Sequence, residues 1–507
     1  MRRVAAVGKQ LEPRSEVYFV PTGNLYEVTS KLASGARYLL CAGDYEKISD
    51  RLCDADLLCI SSMSPATDHV SKIAAAVKKK NRRTFILWGG AHPMLYPQEA
   101  IEQVDAICIS EGETAFRKFY HAFSAGKEYS QTPGMWFRMG SGIIKNPPAP
   151  LSSQEQLNSF PHLFYGQECQ IFDYRRRNFR DFSERDYIMY NGFAYRTILS
   201  MGCAFSCSYC ANSGFLKIDP GYRALRYPSV DYIIDELKAA RRTYPFISTV
   251  VFYDDNFIAL PFEYLKEFAL RYAQEIRLPF VVFGLHPNFI TEDKIALLAE
   301  AGMNRGRMGI QSGCKKILDF YNRATTKEKI IASAEILARA ARKYRMIPPA
   351  YDIISDNPLE TGDDIRESLA FIYGLKRPFT LTIFSLRAFA KTALWEYFEI
   401  HPENDIRFNA TSYLDTRATF TNILLYLLAI AKPPPRLFFW LLKHIRGNNE
   451  KQRRHLVLHR LAKSLYFLSR GLAHLRRFDF SNMSGAWLVV FYNCSLVFRR
   501  LKHANSA

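Results

Sequence analysis

The stretch YRTILSMGCAFSCSYCANSGF, residues 195–215, decides how this chain is read. Its apolar opening predicts a strand over 196–201, and the loop that follows carries Cys203, Cys207 and Cys210 in the spacing CxxxCxxC. Three thiolates in one tight loop can hold three irons of a cubane, which leaves the fourth iron without a protein ligand. The bland alternative is a zinc knuckle. Structural zinc, however, takes a fourth close ligand and usually a second CxxC-type pair, and neither lies near the triplet.

Downstream of the triplet, apolar runs and helical stretches alternate. The pattern predicts helices near 229–243, 261–275, 291–301, 326–344 and 362–374. Between them STVVFYDD, FVVFGLHP, GRMGIQSG, AYDIISD and TLTIFSL read as strands. Six or so βα repeats in about 200 residues imply a partial TIM-type (β/α)6 barrel over 194–400, with its functional loops at the strands' carboxyl ends. Upstream, DADLLCISSMS, HVSKIAAAVKKK, RTFILWGGAHP, PQEAIEQV and DAICISEGE alternate in the same way, so residues 1–130 read as a doubly wound, Rossmann-like α/β domain. Residues 131–193 are rich in Pro, Gly, Arg and aromatics and read as a linker with a small hairpin. After His401 the chain becomes apolar, aromatic and basic, and a helical C-terminal region is expected over 401–507.

With these motifs in place, residues 194–400 resemble the radical S-adenosylmethionine (SAM) superfamily. The resemblance implies a [4Fe–4S] cluster on Cys203, Cys207 and Cys210 whose open iron binds and cleaves SAM. It implies that Tyr209 packs near the adenine, and that Asp254 and Asp255, in VVFYDDNF, accept the SAM ammonium group, a reading favoured over the alternative that Asp255 or Asn256 caps the following helix. AGMNRGRMGIQSG with ILDFYNRATT resembles the family's GxESG strand and downstream YNR segment, making Gln311 and Ser312 candidates for the ribose hydroxyls or the SAM carboxylate. Gln311 replaces the commoner Glu, which keeps hydrogen bonding and removes a charge. Asp356-Asn357-Pro358 stands where a GxP turn is usual, and Lys391 stands in place of a Gly.

LLCISSMS, ILWGGAHPMLYP and VDAICISEGETAF resemble, in that order, the cobalamin-binding domain found upstream of many radical SAM domains. The resemblance places cobalamin beside Ser61, Ser62, Ser64, Gly89, Gly90, His92, Glu111 and Gly112, where small residues let backbone approach a bulky ligand. No DxHxxG occurs, so cobalamin would bind without the usual histidine below cobalt. His69 and His92 could be proposed as ligands, although each starts a helix or turn where ordinary hydrogen bonding accounts for it. The first 50 residues match this family poorly. The combined architecture implies a methyltransferase acting at an unactivated carbon of a small-molecule or lipid-like, isoprenoid-type substrate, with flavodoxin or ferredoxin as electron donor. Radical cyclisation, oxidation or rearrangement without methyl transfer is the alternative.

Composition limits the remaining options. Hydrophobic residues are 48% and aromatics 14% of the 507, enough for folded cores and against global disorder. Ten cysteines, three of them in one metal-type triplet, favour a reducing cytoplasm over a disulfide framework, and the short apolar run VAAVG near the N-terminus does not predict a signal peptide. Residues 401–507 hold 17 Lys and Arg against 5 Asp and Glu, so they carry 17 − 5 = +12 of a net +19. No apolar run there reaches the roughly 18 residues of a spanning helix. A solvated helical cap over the barrel mouth or peripheral contact with an anionic membrane fits this tail better than nucleic acid, because no RNA-binding module accompanies the charge.

Overall fold

A computed structural model describes residues 2–22, 41–163, 166, 168–404, 407–408, 414–447, 455–477, 479, 483–485 and 487–494. The chain divides into two compact units, residues 1–193 with 482–507, and residues 194–481.

In the first unit a short strand β1 (Val17–Phe19) precedes β2 (Leu57–Ser61), β3 (Phe85–Gly89) and β4 (Ala106–Cys108), and the last three pair in parallel. Alternate side chains leave the sheet on opposite sides. Ile86, Trp88 and Ile107 pack with the helices Ala42–Leu52 and Thr67–Lys80, whereas Leu87, Ala106 and Cys108 pack with Arg2–Leu11 and Gly112–Ser124. Helices therefore cover both faces, as expected of a doubly wound domain. Residues 131–193 contribute strands to two sheets of this unit. The hairpin β5 (Met135–Met139) and β6 (Gly142–Lys145) adds antiparallel to β4, and β7 (Cys169–Asp173) with β8 (Asn178–Asp181) joins β1 in a second, three-stranded sheet.

The second unit is built on six strands, β9 (Ala194–Thr197), β10 (Thr249–Phe252), β11 (Phe280–Leu285), β12 (Met303–Gln311), β13 (Ala350–Ser355) and β14 (Thr380–Ser385). All neighbours are parallel and in sequence order, with β9 and β14 at the two edges. This is the expected open (β/α)6 barrel, and it places every loop that follows a strand at one rim.

The helices between residues 414 and 477 belong to this same unit. Phe420–Ile430 lies against β13 and β14, where Asn422 accepts from Ser355 Oγ at 2.7 Å and donates to Asp356 at 2.8 Å. Leu456–Leu475 runs along the β14 side: Tyr466 OH donates to the Leu381 carbonyl at 2.7 Å, and His474 links buried Arg305 (3.0 Å) to Asp479 (2.9 Å). The helices are thus bonded to the barrel's flank. Parts of the basic tail, 448–454 and 495–507, lie outside the described residues.

Candidate functional site

The cysteine loop leaves β9 at the rim and is fastened at three places. Met201 and Arg226 exchange main-chain hydrogen bonds at 2.8 Å each, Cys203 N–H donates to Tyr222 O at 2.9 Å, and Ser208 N–H donates to Tyr321 O at 2.9 Å. Gly202 has φ +97°, and a Cβ there would lie 2.2 Å from Ala224 O, so this turn admits only glycine. Cys210 caps the helix Ala211–Ile218, and its N–H donates to Cys207 O at 3.0 Å.

Burial pushes the Cys203 thiol up to about 11 and the Cys210 thiol higher still, and in each case the carboxylate of Asp255 adds to the rise. An apolar wall of this kind disfavours bare thiolates and suits sulfurs neutralised by metal. Among the described residues no three His, Cys, Asp or Glu side chains converge as the ligands of one ion would. A cubane makes no such demand, because each thiolate takes a different iron. The donor set therefore fits a cluster.

The two aspartates expected to face one ligand part ways. Asp254 is buried and turned beneath the loop, where it accepts from Leu199 N–H (3.1 Å), Ser200 N–H (2.5 Å) and Ser200 Oγ (2.6 Å). Burial pushes its pKa up to about 7 against these bonds. These bonds tie it to the start of the cysteine loop, and Oδ2 accepts only from Leu199 N–H. Asp255 instead reaches solvent from a crowded hollow beside Cys203 and Cys210; burial raises its pKa and Asn212 opposes the rise. Tyr209 packs edge-on against Tyr321, with ring centroids 5.1 Å apart.

At the end of β12, Gln311 adopts φ +74° and crowds the Cα of Gly309 together with Arg323. Ser312 Oγ is 2.9 Å from Ser368 Oγ and accepts from Cys314 N–H at 3.1 Å. Its hydroxyl is buried and bonded within the barrel wall. Both residues line a small, partly open cavity of about 20 Å³ with Ser355, Glu360, Ser368 and Thr421, room for one water.

Two neighbours of the cysteine loop were not expected. Arg323 donates through Nη1 toward Cys207 Sγ at 3.7 Å and through Nη2 to Gly309 O at 2.7 Å. His286, beyond β11, stacks on Phe205 of the loop at 3.9 Å and 15°, and its buried Nε2 has no hydrogen-bond partner. Burial, reinforced by Arg323 and Lys329, holds this imidazole down at about 2, so it is neutral. The YNR segment signalled Arg323; nothing in the sequence signalled His286. Deeper in the barrel Arg307 Nε meets both oxygens of Asp352 at 2.6 and 2.9 Å, and its guanidinium lies 4.9 and 5.0 Å from the rings of Phe283 and Phe384.

In the first unit the expected cobalamin contacts gather at the carboxyl ends of three adjacent strands: Ser61 ends β2 and Ser62 and Ser64 follow it, Gly89 ends β3 and Gly90 and His92 follow it, and Glu111 and Gly112 follow β4. Small residues line this edge, which suits an extended cofactor. Gly90 has φ +104°, and a Cβ there would lie 2.4 Å from Ser62 O; its close approach is to a neighbouring loop. Ser62 Oγ accepts from Trp88 Nε1 at 2.9 Å, and Glu111 accepts from Ser152 N–H at 2.9 Å. His92 is stacked between Trp88 and Tyr96 at 5.0 and 4.9 Å, and burial lowers its pKa to about 4. His69 shares a 2.7 Å hydrogen bond with Tyr45.

Comparison with known proteins decides the matter. The Radical SAM superfamily model matches residues 197–372, and the B12 binding domain model matches residues 39–119. The chain is a radical SAM enzyme with a B12-binding domain. Its cofactors are a [4Fe–4S] cluster, SAM and cobalamin, and its domain order is that of a cobalamin-dependent, methyltransferase-like radical SAM enzyme. An uncharacterized methyltransferase of Pyrococcus horikoshii is 24% identical over 371 residues, 72% of this chain and 74% of that protein. Two solved structures share the fold. The cobalamin-dependent radical SAM enzyme OxsB, with aqua-cobalamin bound, has a TM-score of 0.58 at 14% identity, over 99% of this chain and 81% of its own. The radical SAM methyltransferase TsrM of Kitasatospora setae, with tryptophan and a SAM analogue bound, has a TM-score of 0.55 at 16% identity, over 71% of this chain and 68% of its own. Among the described residues no helix is long and apolar enough to cross a membrane.

Proposed function

We propose that this enzyme methylates an unactivated carbon of a small-molecule or lipid-like substrate, with Cys203, Cys207 and Cys210 as the three cluster ligands and a flavodoxin- or ferredoxin-type protein as electron donor. The observation that carries the reading is the fastened triplet loop at the barrel rim, with Arg323 directed at the Cys207 sulfur. The methyltransferase names of the Pyrococcus relative and of TsrM support methyl transfer over cyclisation or oxidation.

When bound, the cluster supplies the electron that cleaves SAM and cobalamin supplies the methyl carrier, so the difficult chemistry is theirs. The chain's own residues bind and orient. Arg323 places positive charge on a sulfur that must stay deprotonated. Asp255 offers an ammonium group a carboxylate beside the cysteines, and Tyr209 with Tyr321 offers the adenine an aromatic wall. Asp254 positions the loop from below. In the first unit the loops after β2, β3 and β4 form the proposed cobalamin shelf, and the basic C-terminal region is the proposed contact with an anionic membrane.

Feeding wild-type and deletion hosts methionine with a deuterated methyl group tests this directly. A metabolite or lipid that carries the intact labelled methyl only in the wild type is expected. A product that disappears in the deletion host yet never carries label favours cyclisation or oxidation instead.

A further inference from the structure

The helix Leu456–Leu475 has two apolar faces, and the barrel uses only one of them. The inward face is satisfied by Tyr466 and His474, as described, and by His459, whose Nε2 lies 3.1 Å from Thr416 Oγ1. On the outward face Leu458, Leu461, Leu465, Leu468, Leu472 and Leu475 follow one another at steps of 3, 4, 3, 4 and 3, and each is between 45% and 60% exposed. That spacing stacks them in a single straight row along a helix of roughly 30 Å. Arg460, Arg476 and Arg477 are exposed beside it. The helix Pro435–Leu442 repeats the pattern, burying Phe438 against Tyr373 while exposing Leu437, Phe439 and Trp440 between Arg436 and Lys443.

A soluble surface does not keep so large a contiguous leucine row without a use for it. We propose that this row, with its flanking arginines, seats the enzyme on an anionic lipid surface, the helix lying flat with its leucines at the boundary between headgroups and acyl chains. Two observations favour lipid over a second copy of the chain. Residues 401–507 carry +12, which a self-interface would double and an anionic surface neutralises. Exposed Phe439 and Trp440 also lie outside any single coiled-coil seam and suit a membrane interface. The inference rests on the proposed lipid-like substrate for its purpose, yet its test is physical binding and is read apart from turnover.

Full-length, anaerobically reconstituted protein is sedimented with vesicles of phosphatidylglycerol and phosphatidylcholine, and with vesicles of phosphatidylcholine alone. Strong binding to the anionic vesicles and weak binding to the neutral ones is expected. The double variant Leu461→Ser/Leu468→Ser weakens binding at least about tenfold, and Arg460→Gln weakens it about fivefold. Both variants keep the wild-type unfolding temperature and wild-type release of 5′-deoxyadenosine from SAM. Three results overturn the proposal. One is no binding to anionic vesicles at low salt. Another is binding that the leucine exchanges leave unchanged. The third is a dimer, seen by light scattering, that the leucine exchanges split while vesicles are ignored. Loss of 5′-deoxyadenosine release in the wild type would count against the enzymatic reading and leave the lipid seat standing.

Discussion

Replacing Asp254 by Ala removes the acceptor of two main-chain N–H groups and one hydroxyl, all buried beneath the cysteine loop. A buried donor left without a partner costs about 1–3 kcal/mol. The Ser200 hydroxyl can turn to another acceptor, so the two N–H groups set the scale, about 2–6 kcal/mol. Some of this is returned because the carboxylate is itself held in an unfavourable, buried site that lifts its pKa to about 7. A net loss of about 2–3 kcal/mol is expected. The loop should loosen with it, so reconstituted Asp254→Ala should retain less iron than wild type. Asp255→Asn, at the exposed neighbour, should cost under about 0.5 kcal/mol, retain iron, and weaken SAM binding. Urea unfolding and iron analysis of the two variants measure all of this. An Asp254→Ala protein as stable and as iron-rich as wild type would refute the assignment of Asp254 as the loop's clamp.

Other substitutions probe separate parts of the structure. Gly202→Ala sets a Cβ 2.2 Å from Ala224 O in a left-handed turn, so it should cost more than about 1 kcal/mol and abolish cluster retention in iron and absorbance assays. Arg307→Met leaves Asp352 without its partner in the barrel interior and should destabilise by about 2 kcal/mol in urea titrations, with partial recovery on adding Asp352→Leu. Glu360 is buried, and its burial lifts its pKa to about 8. Its folded form therefore binds a proton more tightly than its unfolded form, and its contribution to stability is lost as pH rises from about 4.5 through 8; Glu360→Gln should flatten that part of the stability–pH curve. His92→Phe keeps the stack between Trp88 and Tyr96 and should leave the visible spectrum of bound cobalamin unchanged, whereas a spectral shift would make His92 a cobalt ligand.

The barrel was legible because most of its strands are short apolar runs followed by a helix of amphipathic period, and because the thiols sit within eight residues of one another. What sequence could not supply was the direction of individual side chains. Asp254 and Asp255 are adjacent where β10 ends, so backbone geometry turns one under the loop and the other toward the hollow, and no pattern says which. Arg323 reaches Cys207 across 116 residues, a contact that only the parallel order of the strands creates. His286 ends a strand with no motif around it. The helix Leu456–Leu475 shows a related limit: its residues are apolar on two faces, and only packing shows that Tyr466 and His474 turn inward while the leucine row does not. The segment 131–193 was legible only in part. Its turn residues read as a linker with a small hairpin, and no pattern in them shows that β5 pairs with β4.

The most direct test of the central claim is the release of 5′-deoxyadenosine from SAM by anaerobically reconstituted, reduced protein whose iron content is known. About four irons per chain, with 5′-deoxyadenosine formed by the wild type and by none of Cys203→Ala, Cys207→Ala and Cys210→Ala, is the expected result. Full SAM cleavage by any of these three variants, or iron near four per chain without any cleavage by the wild type, would contradict it.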